Sequence, residues 1–160
     1  MKLITGYTDG SCPVNPGPGG WAFVLLQGVA LEGGLLIESS GYVRTATNNT
    51  MELMAAIELM RHVVDQNLHN KRKLTVWSDS KYVVYGMENY RHTWADYDFK
   101  GIKNPELWKF AHKVAEKFPK GHLRFEWLRG HVGHYWNERC DAMAGAAVKR
   151  GNRKHNSTRR

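Results

Sequence analysis

The chain has 160 residues, 42% hydrophobic and 24% charged, an ordinary globular composition that excludes a fibrous repeat or a disordered polymer. The net charge is +8, but Lys149, Arg150, Arg153, Lys154, Arg159 and Arg160 supply six positive charges in a stretch without Asp or Glu, and +2 remains without them. Residues 1–148 are therefore nearly neutral, and a domain over 1–150 with a basic and flexible tail over 151–160 is expected, the tail adding salt-sensitive attraction to phosphates. One domain of this length buries roughly two-thirds of the surface that its unfolded form exposes. With no apolar leader and no run of about 20 apolar residues, the default is a cytoplasmic protein without a membrane partner, and a monomer. Cys12 and Cys140 have neither zinc-motif nor disulfide-framework spacing and read as free thiols.

Residues 2–8 alternate in polarity and residues 21–26 are continuously apolar, with a Pro/Gly-rich turn between them, which predicts a hairpin. A third strand over 35–43 completes an antiparallel meander. Met51, Met54, Ala55, Leu59 and Val63 then recur with helical spacing, and that helix ends before Asn67. Residues 73–78 read as a buried strand and 80–90 as a helix. Asn104-Pro105-Glu106 starts another helix, with Pro at its first position. Residues 123–128 alternate as a last strand, and 136–149 form the last helix. The predicted fold is α/β: a five-stranded mixed sheet, three antiparallel strands followed by two parallel ones, flanked by helices.

Four acids fall in four different settings: Asp9 and Asp79 at the C-terminal ends of strands, Glu52 in the first turn of one helix and Asp141 in the middle of another. Open α/β sheets bind ligands at the carboxyl ends of their strands. Carboxylates gathered there repel one another unless cations neutralise them, and hard oxygen ligands suit Mg2+ or Mn2+. Two such ions about 3.5–4 Å apart activate water and stabilise the leaving oxygen of a phosphodiester. Each acid also has an ordinary structural reading. Asp9 starts a turn with Gly10, Asp79 caps the next helix, Glu52 closes a capping box with Asn49, and Asp141 pairs with Arg139 or with a lysine on its helix surface.

Five motifs stand in order: Thr8-Asp9-Gly10-Ser11-Cys12, Asn15-Pro16-Gly17-Pro18-Gly19-Gly20, Thr47-Asn48-Asn49-Thr50-Met51-Glu52, Ser78-Asp79-Ser80, and Gly130-His131-Val132-Gly133-His134 with Asn137-Glu138-Arg139-Cys140-Asp141. On these the chain resembles the bacterial type 1 ribonuclease H family over about residues 2–148. The resemblance implies a ribonuclease H-like fold and endonucleolytic cleavage of the RNA strand of an RNA/DNA hybrid. It also implies two Mg2+ ions, with Mn2+ as a substitute, and products ending in 5′-phosphate and 3′-hydroxyl. Asp9, Glu52, Asp79 and Asp141 match the metal-site acids, and His131 matches a loop histidine that assists proton transfer or product departure. Asn15 and Asn49 match contacts in the RNA minor groove, where the 2′-hydroxyl marks RNA. Thr47 matches a phosphate contact on the DNA strand, with Asn48 in the same motif, and Tyr90 and Trp94 match aromatic positions that flank that strand.

Two positions depart from the family pattern. Lys81 stands where the family often has Gln, which shifts the expected contact from groove reading to phosphate. Residues 85–104, the family's basic protrusion, carry no net charge here, with Arg91, Lys100 and Lys103 balanced by Glu88, Asp96 and Asp98. A catalytically silent hybrid-binding module, or a DNA nuclease of the same fold such as a junction resolvase or transposase, is the alternative reading.

Overall fold

A computed structural model describes residues 2–29, 33–129 and 134–158. Strands β1 (Lys2–Ser11), β2 (Gly17–Gln27) and β3 (Leu35–Ala46) form the antiparallel meander. Helix α1 (Asn48–Asp65) leads to β4 (Arg72–Ser78), which lies parallel to β1, and β5 (Leu123–Trp127) lies parallel to β4. The sheet order is β3-β2-β1-β4-β5, the mixed sheet expected from the sequence.

Alternation along β1 sends successive side chains to opposite faces. Ile4 joins the larger core with Leu53, Leu59, Leu74 and Trp108, beneath α1 and α4 (Pro105–Ala115). Tyr7 joins a second core with Val24, Leu26, Cys140 and Ala144, beneath α5 (Tyr135–Thr158). The Cys140 thiol donates to the Tyr7 carbonyl at 3.3 Å, and burial pushes its pKa well above the usual thiol range, so it is an inert core group. Cys12 is likewise buried and free, packed with Ala46 and Met51.

Three boundaries differ from the sequence reading. β3 continues to Ala46 because Gly17 pairs with Ala46 across a bulge. The helix expected over 80–90 is instead α2 (Lys81–Tyr85), a π-helical turn (Gly86–Tyr90) and α3 (Arg91–Asp96). The last helix does not stop at 149: it runs to Thr158, so residues 151–158 are helical rather than frayed. The reason is a contact invisible to local pattern. The Tyr42 hydroxyl donates to Asn152 Oδ1 at 3.2 Å, and a Cβ at Gly151 would lie 2.0 Å from the Tyr42 ring, so glycine lets the helix dock there. Among the described residues no helix is long and apolar enough to cross a membrane.

Candidate metal and nucleic-acid site

Asp9 lies two residues before the end of β1, and Glu52 reaches the same cluster from α1. Gly10 permits this approach, since a Cβ there would lie 2.4 Å from the Glu52 backbone nitrogen. Asp79 follows β4, the parallel neighbour of β1. One carboxylate oxygen from each of Asp9, Glu52 and Asp79 lies within 4.8 Å of the others. The structure thus brings three of the four expected acids into one cluster. Asp141 is exposed on α5 and outside that trio, yet close enough for its charge to raise the Asp9 pKa. His131 lies outside the described residues.

Asp9 Oδ1 does accept the Gly10 N–H at 2.9 Å, but Oδ2 is buried without a hydrogen-bond partner. Helix α1 is capped by Thr47, whose Oγ1 accepts the Thr50 N–H at 3.1 Å while Thr50 Oγ1 accepts the Thr47 N–H at 2.9 Å. That reciprocal box replaces the expected Asn49–Glu52 box and leaves Glu52 Oε2 buried and unpartnered. Ser80, not Asp79, caps α2, its Oγ accepting the Val83 N–H at 3.2 Å. Arg139 forms a double hydrogen bond with Glu38, at 3.1 and 2.6 Å, rather than pairing with Asp141.

Electrostatics follow from this crowding. Burial chiefly, with the charges of Asp79 and Asp141 adding to it, pushes Asp9 up to about 7, while the adjacent Glu52 carboxyl and the Gly10 N–H oppose the rise. Burial and then the Asp9 charge hold Glu52 well above the usual carboxylate range. Unpartnered buried oxygens and disfavoured negative charge are what an acidic cluster shows before a cation neutralises it. An all-oxygen donor set from separate elements fits a hard divalent ion. A second cluster of possible ligands, His92, His112 and Glu116, differs: Arg91 Nη1 donates to Glu116 Oε1 at 2.7 Å and bonds His112 Nδ1 at 3.0 Å, so the chain supplies that cation itself.

The expected substrate residues lie on the turn between β1 and β2, at the start of α1, at the first residue of α2 and on the π-helical turn and α3. Asn15 Oδ1 accepts the Asn48 N–H at 3.1 Å, tying the β1–β2 turn to the start of α1, where Asn48 and Asn49 are exposed. Thr47 spends its hydroxyl on the cap. Tyr90 is half exposed and stacks on Trp94, with ring centroids 5.7 Å apart, and Trp94 is backed edge-on by buried Trp108 at 5.0 Å. Lys81 is exposed, its ammonium 4.7 Å from the centre of the Trp127 ring.

Trp127 itself escapes sequence reasoning. Its indole N–H donates to the Asp79 carbonyl at 3.2 Å, so it holds the strand end that carries the third acid. Only the parallel pairing of Ser78 with Trp127 brings the two together, and no local signal marks it. Thr50 was missed as well, although a hydroxyl three residues beyond Thr47 at the helix start is the signal that could have found it.

Fold and site together define an α/β domain with a cluster of acids, able to hold a cation, at the carboxyl end of the neighbouring parallel strands β1 and β4. The RNase H family model matches residues 1–149. "Ribonuclease H" of Nitratidesulfovibrio vulgaris (strain DP4) is 37% identical over 153 residues, covering 92% of this chain and 90% of that protein. Among solved structures, LC9-RNase H1, described as a type 1 RNase H with the type 2 active-site motif, superposes with a TM-score of 0.78 at 29% identity, covering 93% of this chain and 73% of the other. LC11-RNase H1 in complex with an RNA/DNA hybrid gives a TM-score of 0.69 at 26% identity, covering 92% and 98%. The chain belongs to the ribonuclease H family.

Proposed function

We propose that the chain is an endonuclease that hydrolyses the RNA strand of RNA/DNA hybrids, leaving 5′-phosphate and 3′-hydroxyl ends, with Mg2+ held by Asp9, Glu52, Asp79 and Asp141. The observation that carries this reading is the trio of Asp9, Glu52 and Asp79 within 4.8 Å, with unpartnered buried oxygens on Asp9 and Glu52, in a chain of the ribonuclease H family. When bound, divalent ions supply a water nucleophile of lowered pKa and offset charge on the leaving oxygen.

The protein's own part is orientation. Gly10 N–H fixes one oxygen of Asp9 and leaves the other, buried and without a hydrogen-bond partner, available to a cation. The Thr47–Thr50 cap anchors the turn that carries Glu52, and Trp127 steadies the backbone of Asp79. Exposed Asp141 completes the donor set once charge repulsion is relieved, and His131 serves proton transfer at the departing group.

Selectivity for a hybrid resides in the amide and aromatic side chains. Asn15 and Asn49 each offer an amide donor and acceptor to a 2′-hydroxyl and a base edge. With Asn15 Oδ1 engaged by Asn48, its NH2 group is the part offered to substrate. Stacked Tyr90 and Trp94 give the DNA strand an apolar wall, and Lys81 supplies a phosphate contact. Mapping of cleavage products tests the reaction: internal cuts in the RNA with extendable 3′-hydroxyl ends are expected, and ends carrying a 3′-phosphate would contradict it.

A further inference from the structure

Helix α5 outruns the core beneath it. Its sheet-facing stripe of Cys140, Ala144, Ala147, Val148 and Gly151 is buried, yet the helix continues to Thr158. Lys149, Arg150, Arg153 and Lys154 are all exposed, and their spacing places them on one side of the helix. No acidic residue follows Asp141 in the chain.

This basic segment is held in place. Besides the Tyr42–Asn152 bond, Arg150 Nη2 donates to Ser40 Oγ at 3.3 Å. Between β3 and α5 lies a groove of about 510 Å3, lined by Tyr42, Arg150, Lys154 and His155. Strand register locates it: Tyr42 pairs with Gly20, and Gly20 pairs with Ser11, two residues beyond Asp9. The groove therefore lies at the same end of the sheet as the acids, two strand spacings or about 10 Å to the side. Along the helix, Asp141 and Lys154 are about 20 Å apart. A duplex carries one charge per about 1.7 Å of its axis, so one seated at the acids presents phosphates over that distance.

We propose that Lys149, Arg150, Arg153 and Lys154 form a second contact for the substrate's phosphate backbone, outside the catalytic cleft, extending the hybrid's footprint from the acids towards β3. The inference rests on the hybrid-nuclease reading. It also answers a charge deficit, because residues 85–104 carry no net charge and add no general attraction for phosphate. The competing explanation is that cations near a helix C-terminus only offset the helix dipole, which would affect stability and leave binding unchanged.

The test uses the full chain carrying Asp79→Asn, so that the hybrid survives, and reads fluorescence anisotropy with a labelled hybrid between about 50 and 200 mM salt. Lys149→Gln, Arg153→Gln and Lys154→Gln are combined, and Arg150 is kept because it also bonds Ser40. The slope of log affinity against log salt is expected to fall by about 2–3, close to 0.9 per lost phosphate contact, with at least a tenfold loss at the lowest salt. The charge-keeping set Lys149→Arg, Arg153→Lys and Lys154→Arg is expected to retain the slope, which excludes a folding defect. An unchanged slope in the glutamine set, or equal loss in both sets, overturns the proposal. Plain duplex DNA in the same assay reads the ridge independently of the hybrid reading, whose own failure would appear as no cleavage by the unsubstituted chain.

Discussion

The carboxyl groups of Asp9 and Glu52 meet at the end of the sheet, one from a strand and one from a helix, and each has a buried oxygen without a hydrogen-bond partner. A pair built only for stability would carry a donor there. Because burial raises the folded-state pKa of both acids, the sign of the pH effect is determined. Their contribution to metal-free stability is fully present below the unfolded pKa of about 4 and is lost as pH rises through the folded value. Asp9→Asn is thus expected to melt above the wild type in EDTA, by a margin that widens from pH 5 to pH 8 and reaches several degrees. Mg2+ should narrow the margin by stabilising the wild type. Melting curves at the two pH values check this, and a lower Tm for the variant at pH 8 would count against it.

Gly10→Ala tests the close approach that brings Glu52 to the site. Its Cβ would fall 2.4 Å from the Glu52 nitrogen and 2.5 Å from the Met51 carbonyl carbon, both backbone atoms that cannot rotate away. A stability loss of about 2–3 kcal/mol is expected, with activity reduced far more than the unfolded fraction explains. Denaturant titration beside hybrid cleavage separates the two effects.

The cap on α1 makes a milder prediction. Thr47→Ala removes the acceptor for the Thr50 N–H and should cost about 1 kcal/mol, or roughly 2–4 °C in Tm. Asn49→Ala, by contrast, should leave Tm nearly unchanged, since Asn49 does not cap the helix. A larger loss for Asn49→Ala would mean that the helix starts differently.

Much of this was legible in the sequence because the informative signals were local or periodic. The mixed five-stranded sheet, three antiparallel strands followed by two parallel ones, and the helix opening at Pro105 follow from alternation, helical spacing and proline chemistry. Three of the four metal-site acids gather as their motifs imply. Contacts between segments distant in the chain escaped. Trp127 reaches Asp79 through sheet pairing, and Tyr42 holds residues 151–158 in a helix across 110 positions of chain. Arg139 likewise finds Glu38 rather than its helix neighbour Asp141, a choice that no local pattern encodes.

Trp127 provides a test of that non-local support. Trp127→Phe keeps a ring for Lys81 but removes the N–H that holds the Asp79 carbonyl. The Mg2+ concentration for half-maximal cleavage is expected to rise several-fold to tenfold, with Tm changed by only a few degrees. An unchanged Mg2+ requirement would assign the tryptophan to packing alone.

The most direct measurement is cleavage of an end-labelled RNA/DNA hybrid in Mg2+, beside single-stranded RNA, duplex RNA and duplex DNA, with the Asp79→Asn protein as control. The account predicts internal cuts confined to the RNA strand of the hybrid, abolished by EDTA and by the substitution. Clear hybrid binding without any cut, or comparable cutting of duplex DNA, would contradict it.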